Sequence, residues 1–373
     1  MQLAPLLRQV RTGMTPFQNA RAWPAQVPLP AGLAMAGWLL AKGVLSTTRP
    51  EASTTRRAFA PRSDPTRETL PLGAHVSKGN SWFVRQLALA YVRLSDRRWW
   101  MRTQGQKGSA FRALHERDSA FIIPNPWDVG TARLLAHLGF EALATTSAGY
   151  AFSVGQRDNT IGRDKMMAHV GAIVSATDLP VSADLENGFG DDPETVAEAI
   201  RLAAAAGLVG GSIEDATNRP DDPIYEHELA VERVRAAANV ARSLPFPFTL
   251  TGRAENYLVG RPDLKDTIKR LQAYQDAGAD VLYAPGLASK GDIAAVVSSV
   301  DRPVNVVMGL RGVQLSLAAL SELGVKRVSV GSALSRAALG AFLRAAREMR
   351  EHGTFTFADE AVSYQDISAM FDA

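Results

Sequence analysis

Asp184 and Glu186 stand two residues apart in the stretch PVSADLENGFGDDP (Pro180 to Pro193), after an apolar β-branched start and before a glycine-punctuated turn at Gly188 and Gly190. In a strand, residues i and i+2 point to the same face. Two carboxylates on one face at a strand's carboxyl end make a hard, oxygen-rich corner of the kind Mg²⁺ takes, with water completing its octahedron. The same side chains could instead cap the helix that opens near Glu194, and this stretch alone does not choose between the two. Glu214-Asp215 and Arg253 with Glu255 fall at the same kind of place, the end of an apolar run just before a loop. That recurrence favours a shared site.

Such groups meet only if the chain brings successive strand ends to one mouth. Short apolar runs at Phe121–Asn125, Ala142–Ala148, Val181–Glu186, Gly211–Asp215, Phe248–Glu255, Val281–Pro285, Pro303–Met308 and Val325–Gly331 read as strands. Between them lie helix-like stretches: Val129–Leu138, Asp164–Ala176, Pro193–Ala206, Tyr225–Leu244, Asp263–Ala277, Lys290–Val300, Gln314–Leu323 and Leu334–His352. Strict alternation of this kind predicts an α/β (β/α)8 TIM barrel over residues 106–373. An open doubly wound sheet is the alternative. A final amphipathic segment, Phe357–Phe371, forms an extra C-terminal helix that exposes Val362, Ile367, Met370 and Phe371 and is expected to dock on a neighbouring subunit.

In a barrel, the polar residues at strand ends face one mouth. They are Asn125, Asp128, Thr146, Ser147, Asp184, Glu186, Glu214, Asp215, Arg253, Glu255, Asn256 and Asn305. Acidic groups outnumber the single arginine, so a divalent cation is the natural neutraliser. Gly331-Ser332 has the look of a phosphate-binding corner, although two small residues at a βα turn are more often plain geometry. No Walker A or GxGxxG pattern occurs, which leaves nucleotide chemistry without support.

A hydrophobic content of 46% is ample for a core. With no cysteine, disulfides, zinc-thiolate sites and thiol catalysis are excluded, and the six scattered histidines show no metal spacing, so a metal site must be built from carboxylates. The net charge of +3 hides an asymmetry: residues 1–105 carry 15 Lys+Arg against 4 Asp+Glu, and the rest carries 26 against 34. That first segment reads as a basic, disordered or non-native extension. A transit peptide or a basic tail touching nucleic acid or membrane is the alternative. Its apolar run, Val27 to Ala41, is shorter than the roughly 20 residues that span a bilayer. For the barrel itself no nucleic-acid or membrane partner is expected, and a cytoplasmic location is.

The series PNPWDVGTARLLAHLGFEALATTSAGYA, VGQRD, PVSADLENGFGD, GGSIED, LTGRAENY, YQDAGADVLYAPG and LGVKRVSVG, in order from about Ala110 to Ala373, resembles the isocitrate lyase/phosphoenolpyruvate mutase superfamily. The resemblance implies a Mg²⁺-dependent enzyme (Mn²⁺ in its place) acting on a small 2-oxo or 2-hydroxy carboxylate. It implies that Asp184 ligates the metal directly, Glu186 through water, and Glu214 as the acidic member of the IED motif. Arg253 and Asp158 fall on catalytic positions, while Ser147 with the neighbouring amides of Ala148 and Gly149 would hold the substrate carboxylate, and Asn305 is taken as a further substrate contact. Glu186 stands where the family usually has Asp. The cysteine loop of the lyase branch is missing: the chain reads DATNRPDDPIYEHE there, leaving Asn218 and Arg219 as the nearest equivalents of a gating loop over Ala216–Glu226, expected to be mobile without ligand. The resemblance therefore implies C–C cleavage through an enolate-like intermediate, with C–P chemistry on phosphonopyruvate or an idle binding scaffold as alternatives. It also implies a homo-oligomer, a dimer of dimers that exchanges the C-terminal helix.

Overall fold

A computed structural model of the chain describes residues 102–372 apart from Ala288 and Arg311. The extension expected over residues 1–105 lies, up to Met101, outside the described residues. Among the described residues no helix is long and apolar enough to cross a membrane.

Eight parallel strands form the barrel: β1 (Phe121–Ile123), β2 (Leu143–Ala144), β3 (Val181–Asp184), β4 (Gly210–Glu214), β7 (Thr249–Arg253), β8 (Val281–Tyr283), β9 (Val304–Val307) and β10 (Arg327–Ser329). Their order is β1-β10-β9-β8-β7-β4-β3-β2. Closure between the two ends comes from the Ala144 N–H on the Pro124 carbonyl (3.1 Å) and the Asn125 side-chain amide on the Thr145 carbonyl (3.1 Å). The eight-strand barrel expected from the alternation is thus the fold.

The surrounding helices are α2 (Val129–His137), α3 (Ser147–Ser153), α4 (Arg163–Ala176), α5 (Pro193–Ala205), α6 (His227–Ser243), α7 (Leu264–Ala277), α8 (Lys290–Ser298), α9 (Leu317–Glu322) and α10 (Ala333–His352). Their apolar faces bring Leu135, Ile173, Ile200, Val234, Leu271 and Ile293 onto the outward side chains of the strands in one buried core. Each such side chain contributes about 1.5–3 kcal/mol. Gly278 ends α7 at φ +110°, a left-handed conformation that costs glycine nothing and lets the chain turn straight into β8.

An additional helix, α1 (Gln104–His115), starts in a capping box between Thr103 and Gln106. It buries Phe111 and Leu114 among Phe121, Ile123, Ala142 and Val209, and so closes the amino-terminal end of the barrel. Its backbone lies so close to the Pro247 carbonyl that a Cβ at Gly108 would collide with it. His115 sits edge-on to the rings of Phe111 and Phe121 and touches Arg327. Burial, and then the Arg327 guanidinium, push its pKa down to about 3. The folded protein therefore stays unprotonated there while the unfolded chain takes up a proton below about pH 6.5, so stability is lost as pH falls. Between pH 7 and pH 5 the wild type should lose about 2 kcal/mol more than His115→Gln in urea unfolding. Parallel losses in the two proteins would show that His115 titrates normally.

Three expectations need correction. The second strand is only Leu143–Ala144, because Thr146 leaves the sheet to cap α3, its hydroxyl accepting the Gly149 N–H at 3.2 Å. The segment after β4, expected to be a gating loop, pairs as an antiparallel hairpin of β5 (Ala216–Arg219) and β6 (Asp222–Ile224). The C-terminal segment is two short pieces, a 3-10 turn (Thr356–Glu360) and α11 (Tyr364–Ala369), split by the extended Ala361 and the new N-cap at Ser363.

Candidate active site

The carboxyl ends of the strands enclose a cavity of about 360 Å³. Arg253, the last residue of β7, is at its centre. Its Nη1 lies 2.9 Å from Glu214 Oε2 and 3.4 Å from Asp184 Oδ1, and its Nε lies 2.5 Å from Glu255 Oε1. The register explains the first contact, since Glu214 and Arg253 are direct partners across β4 and β7. The guanidinium also lies over the Tyr283 ring, 5.2 Å from its centroid. Tyr283, delivered by β8, lines the cavity and was not foreseen in the sequence.

Asp184 ends β3. Its backbone N–H donates to Thr145 Oγ1 (3.1 Å), and its Oδ2 accepts from Ser147 Oγ (2.9 Å). Glu186 is positioned otherwise than the strand argument required: β3 stops at Asp184, and Glu186 turns into the left-handed region at φ +51°. Two observations still tie it to the cluster. Its N–H donates to Asp184 Oδ1 at 3.3 Å, and its carboxyl, 5% exposed, keeps Oε1 buried without a protein partner. Burial first, then Asp184 and Asp158, push its pKa up to about 8. Asp158 is raised by burial and by Asp184, and burial raises Glu214 and Glu255 against the pull of Arg253. The cluster holds more acid than one guanidinium offsets.

These residues fit a divalent cation. The free oxygen is Glu186 Oε1; Asp184 already accepts from Ser147, the Glu186 N–H and Arg253, so a cation would have to share its oxygens with those donors. Among the described residues no three acidic or histidine side chains form a ready-made cage; Mg²⁺ is an ion that is held by one or two carboxylates and retains several waters.

The remaining sequence-derived residues divide. Ser147, Ala148, Asp158, Asn218 and Asn305 line the cavity. Gly149 does not, and its N–H is committed to Thr146. Asn305 is anchored inward on both sides of its amide, Oδ1 accepting from Arg327 Nε (2.9 Å) and Nδ2 donating to Ser329 Oγ (3.0 Å). Asn218, at φ +61° on the hairpin, accepts from Asn159 Nδ2 at 2.9 Å, and both line the cavity. Asn159 was missed, although it adjoins Asp158. Arg219 pins the hairpin to Asp191 at 2.8 Å. Three residues of the strand-end inventory serve structure. Asp128 caps α2, Asn256 donates to Asp266 (2.8 Å), and Asp215 turns behind β7 to accept from Tyr274 Oη, Arg270 Nη1 and the Glu255 N–H.

Comparison with known proteins gives the class of a barrel with this arginine–carboxylate mouth. A family model described as phosphoenolpyruvate phosphomutase matches residues 111–350. The chain belongs to that family, within the isocitrate lyase/phosphoenolpyruvate mutase superfamily, whose members are lyases and mutases. A solved structure of a protein described as a lyase/mutase from Burkholderia cenocepacia J2315 is 68% identical at a TM-score of 0.71, covering 72% of this chain and 97% of that one. A solved 2,3-dimethylmalate lyase is 26% identical at a TM-score of 0.64, covering 72% of this chain and 95% of that one. An uncharacterized protein of Mycobacterium tuberculosis strain H37Rv is 31% identical over 243 residues, 65% of this chain and 89% of that protein.

Proposed function

We propose that the protein is a Mg²⁺-dependent lyase or hydrolase that cleaves a C–C bond of a small 2-oxo or 2-hydroxy carboxylate through an enolate-like intermediate. The observation that carries this reading is the buried Arg253 guanidinium, aimed by Glu214 and Glu255 beside Asp184. Asp184 would hold the cation directly and Glu186 through water, with Mn²⁺ able to take the same place. When bound, the cation supplies Lewis-acid stabilisation of negative charge on oxygen.

The chain's own groups do the rest. Ser147 and the Ala148 amide orient the substrate carboxylate, and Arg253 stabilises the charge that develops on the substrate's C2 oxygen as the bond to C3 breaks. Asp158 lines the cavity beside Ser147 and Asp184, where its raised pKa suits it to holding a proton. The hairpin, meeting the barrel through the Asn218–Asn159 bond, excludes water from that charge. With no cysteine in the chain, the acid/base step of the cysteine-bearing lyases has no counterpart here.

The test incubates the protein and Mg²⁺ with oxaloacetate, alkylmalates, methylisocitrate and phosphonopyruvate, following pyruvate, glyoxylate and phosphate. Release of pyruvate or glyoxylate from a carbon acid supports the reading. Phosphate release or rearrangement with phosphonopyruvate alone would assign C–P chemistry, which the matching family's description favours. No turnover of any compound would leave a binding scaffold. Asn218→Ala is expected to lower turnover about 10-fold or more while the melting temperature stays within 2 °C or so, since an exposed hydrogen bond is worth about 1 kcal/mol. An unaffected rate removes Asn218 from the mechanism.

Assembly as a homo-oligomer, a dimer of dimers exchanging C-terminal segments, belongs to the same reading. Leu339, Phe342 and Leu343 on α10, with Phe355, Val362 and Tyr364 beyond it, are exposed. Apolar area of that extent marks an interface. Removing the residues after Gly353 should give monomers or aggregates without activity in light scattering, and an active, well-behaved monomer would refute the exchange.

A further inference from the structure

The cavity continues below the mouth. Beneath Asp184 and Arg253 its wall runs through Ser182, Ser212 and Asn305 to Arg327 on β10. That side chain is 5% exposed and donates only to neutral acceptors: Nε to Asn305 Oδ1 (2.9 Å), Nη2 to Thr251 Oγ1 (2.9 Å) and Nη1 to His115 Nε2 (3.5 Å). The imidazole is held neutral, as described above. Of the other buried arginines, Arg253 has three carboxylates, Arg270 has Asp215 and Asp266, and Arg233 is held by three backbone carbonyls. Among the described residues no carboxylate pairs with Arg327.

A guanidinium carries five N–H donors. Three are used, which leaves two at the end of an open shaft. Burial pulls the Arg327 pKa down to about 10, so the group remains a cation at neutral pH. A buried cation without a counter-ion is costly, and the shaft gives one access. Depth limits what fits: Thr251 precedes Arg253 by two residues on β7, one pleat repeat, or about 6.6 Å deeper.

We propose that Arg327 forms an anion site at the floor of the cavity, taking a compact monoanionic group on its two remaining N–H donors. Two sources supply that chemistry. One is the far carboxylate of a di-acid whose other end reacts beside Asp184, and this source rests on the function proposed above. The other is a free ion such as formate or chloride, which is independent of it.

The experiment follows the melting temperature at constant ionic strength against formate, chloride and malonate, with and without Mg²⁺, for the wild type, Arg327→Met and Arg327→Lys. The wild type should show a saturable rise that Arg327→Met lacks, with apparent affinity at least tenfold tighter than Arg327→Lys. A rise with formate and chloride assigns a free ion; a rise with malonate alone assigns the di-acid's carboxylate. No saturable rise with any of the three, or equal affinity in the wild type and Arg327→Lys, overturns the site. Should Arg327→Met fail to fold, the comparison with Arg327→Lys decides. No turnover enters the readout, so failure of the anion site and failure of the lyase reading are separate results.

Discussion

Asp184→Asn is expected to slow turnover by about 10²–10³-fold and to erase the rise in melting temperature that Mg²⁺ gives the wild type. Asparagine keeps the shape of the side chain and an oxygen for Ser147, and it removes the charge proposed to hold the cation. For one site the stabilisation by metal reaches about 2.7 kcal/mol at 100 times the dissociation constant, well within reach of a thermal melt. Without metal the variant should be as stable as the wild type or more so. Asp184 is among the causes that push Glu186 and Asp158 up, and its loss relaxes that crowding around Arg253. An unchanged Mg²⁺ response in Asp184→Asn would rule this residue out as the ligand.

The largest effect on folding is expected at Arg233, which does not line the cavity. This side chain of α6 is 1% exposed. It donates Nη1 to the carbonyls of Gly190 (2.6 Å) and Asp191, and Nη2 to the carbonyl of Asn187, while its guanidinium lies 4.0 Å from the Tyr225 ring centroid. The loop after β3 is therefore tied down by one side chain. Arg233→Met would fill the volume and leave three carbonyls without donors. The Asn187 carbonyl is buried and the other two are half-buried; at about 1–3 kcal/mol for a buried unsatisfied group and less where water reaches, the loss should be about 2–4 kcal/mol in urea unfolding. Activity should fall with it, because Glu186 sits at the start of that loop. A loss below about 1 kcal/mol would mean that the loop, with Phe189 also at positive φ, holds its own conformation.

Much of this was legible in the sequence, and the exceptions have physical causes. The strands and helices could be read because short apolar runs, buried on both faces in the barrel, alternate with helix-like stretches of period 3.6. Glu214 and Arg253 could be found because acidic and basic residues at the end of apolar runs are out of place unless they do something. Asp215 was harder: neighbours on a strand point to opposite faces, so one member of the Glu214-Asp215 pair had to turn away, but composition does not say which. The left-handed turn at Glu186 leaves no mark in a non-glycine residue. The hairpin at 216–224 was hidden by Pro220 and Pro223, which argue against a strand in a central position and are tolerated at an isolated edge. The Arg327–Asn305–Thr251 contacts depend on the register of three strands far apart in sequence, which no local pattern reports.

The two-residue strand β2 has one more effect. It makes the junction of β1 and β2 a seam held by one backbone and one side-chain hydrogen bond, where β4 and β7 share a ladder of five residue pairs. Thr145 and Ser147, which hold Asp184, follow directly on that seam. Barrel closure and the Ser147–Asp184 corner thus share one piece of chain. A ligand at that corner with higher affinity for the closed seam than for an open one would stabilise the ring by that difference in affinity and no more.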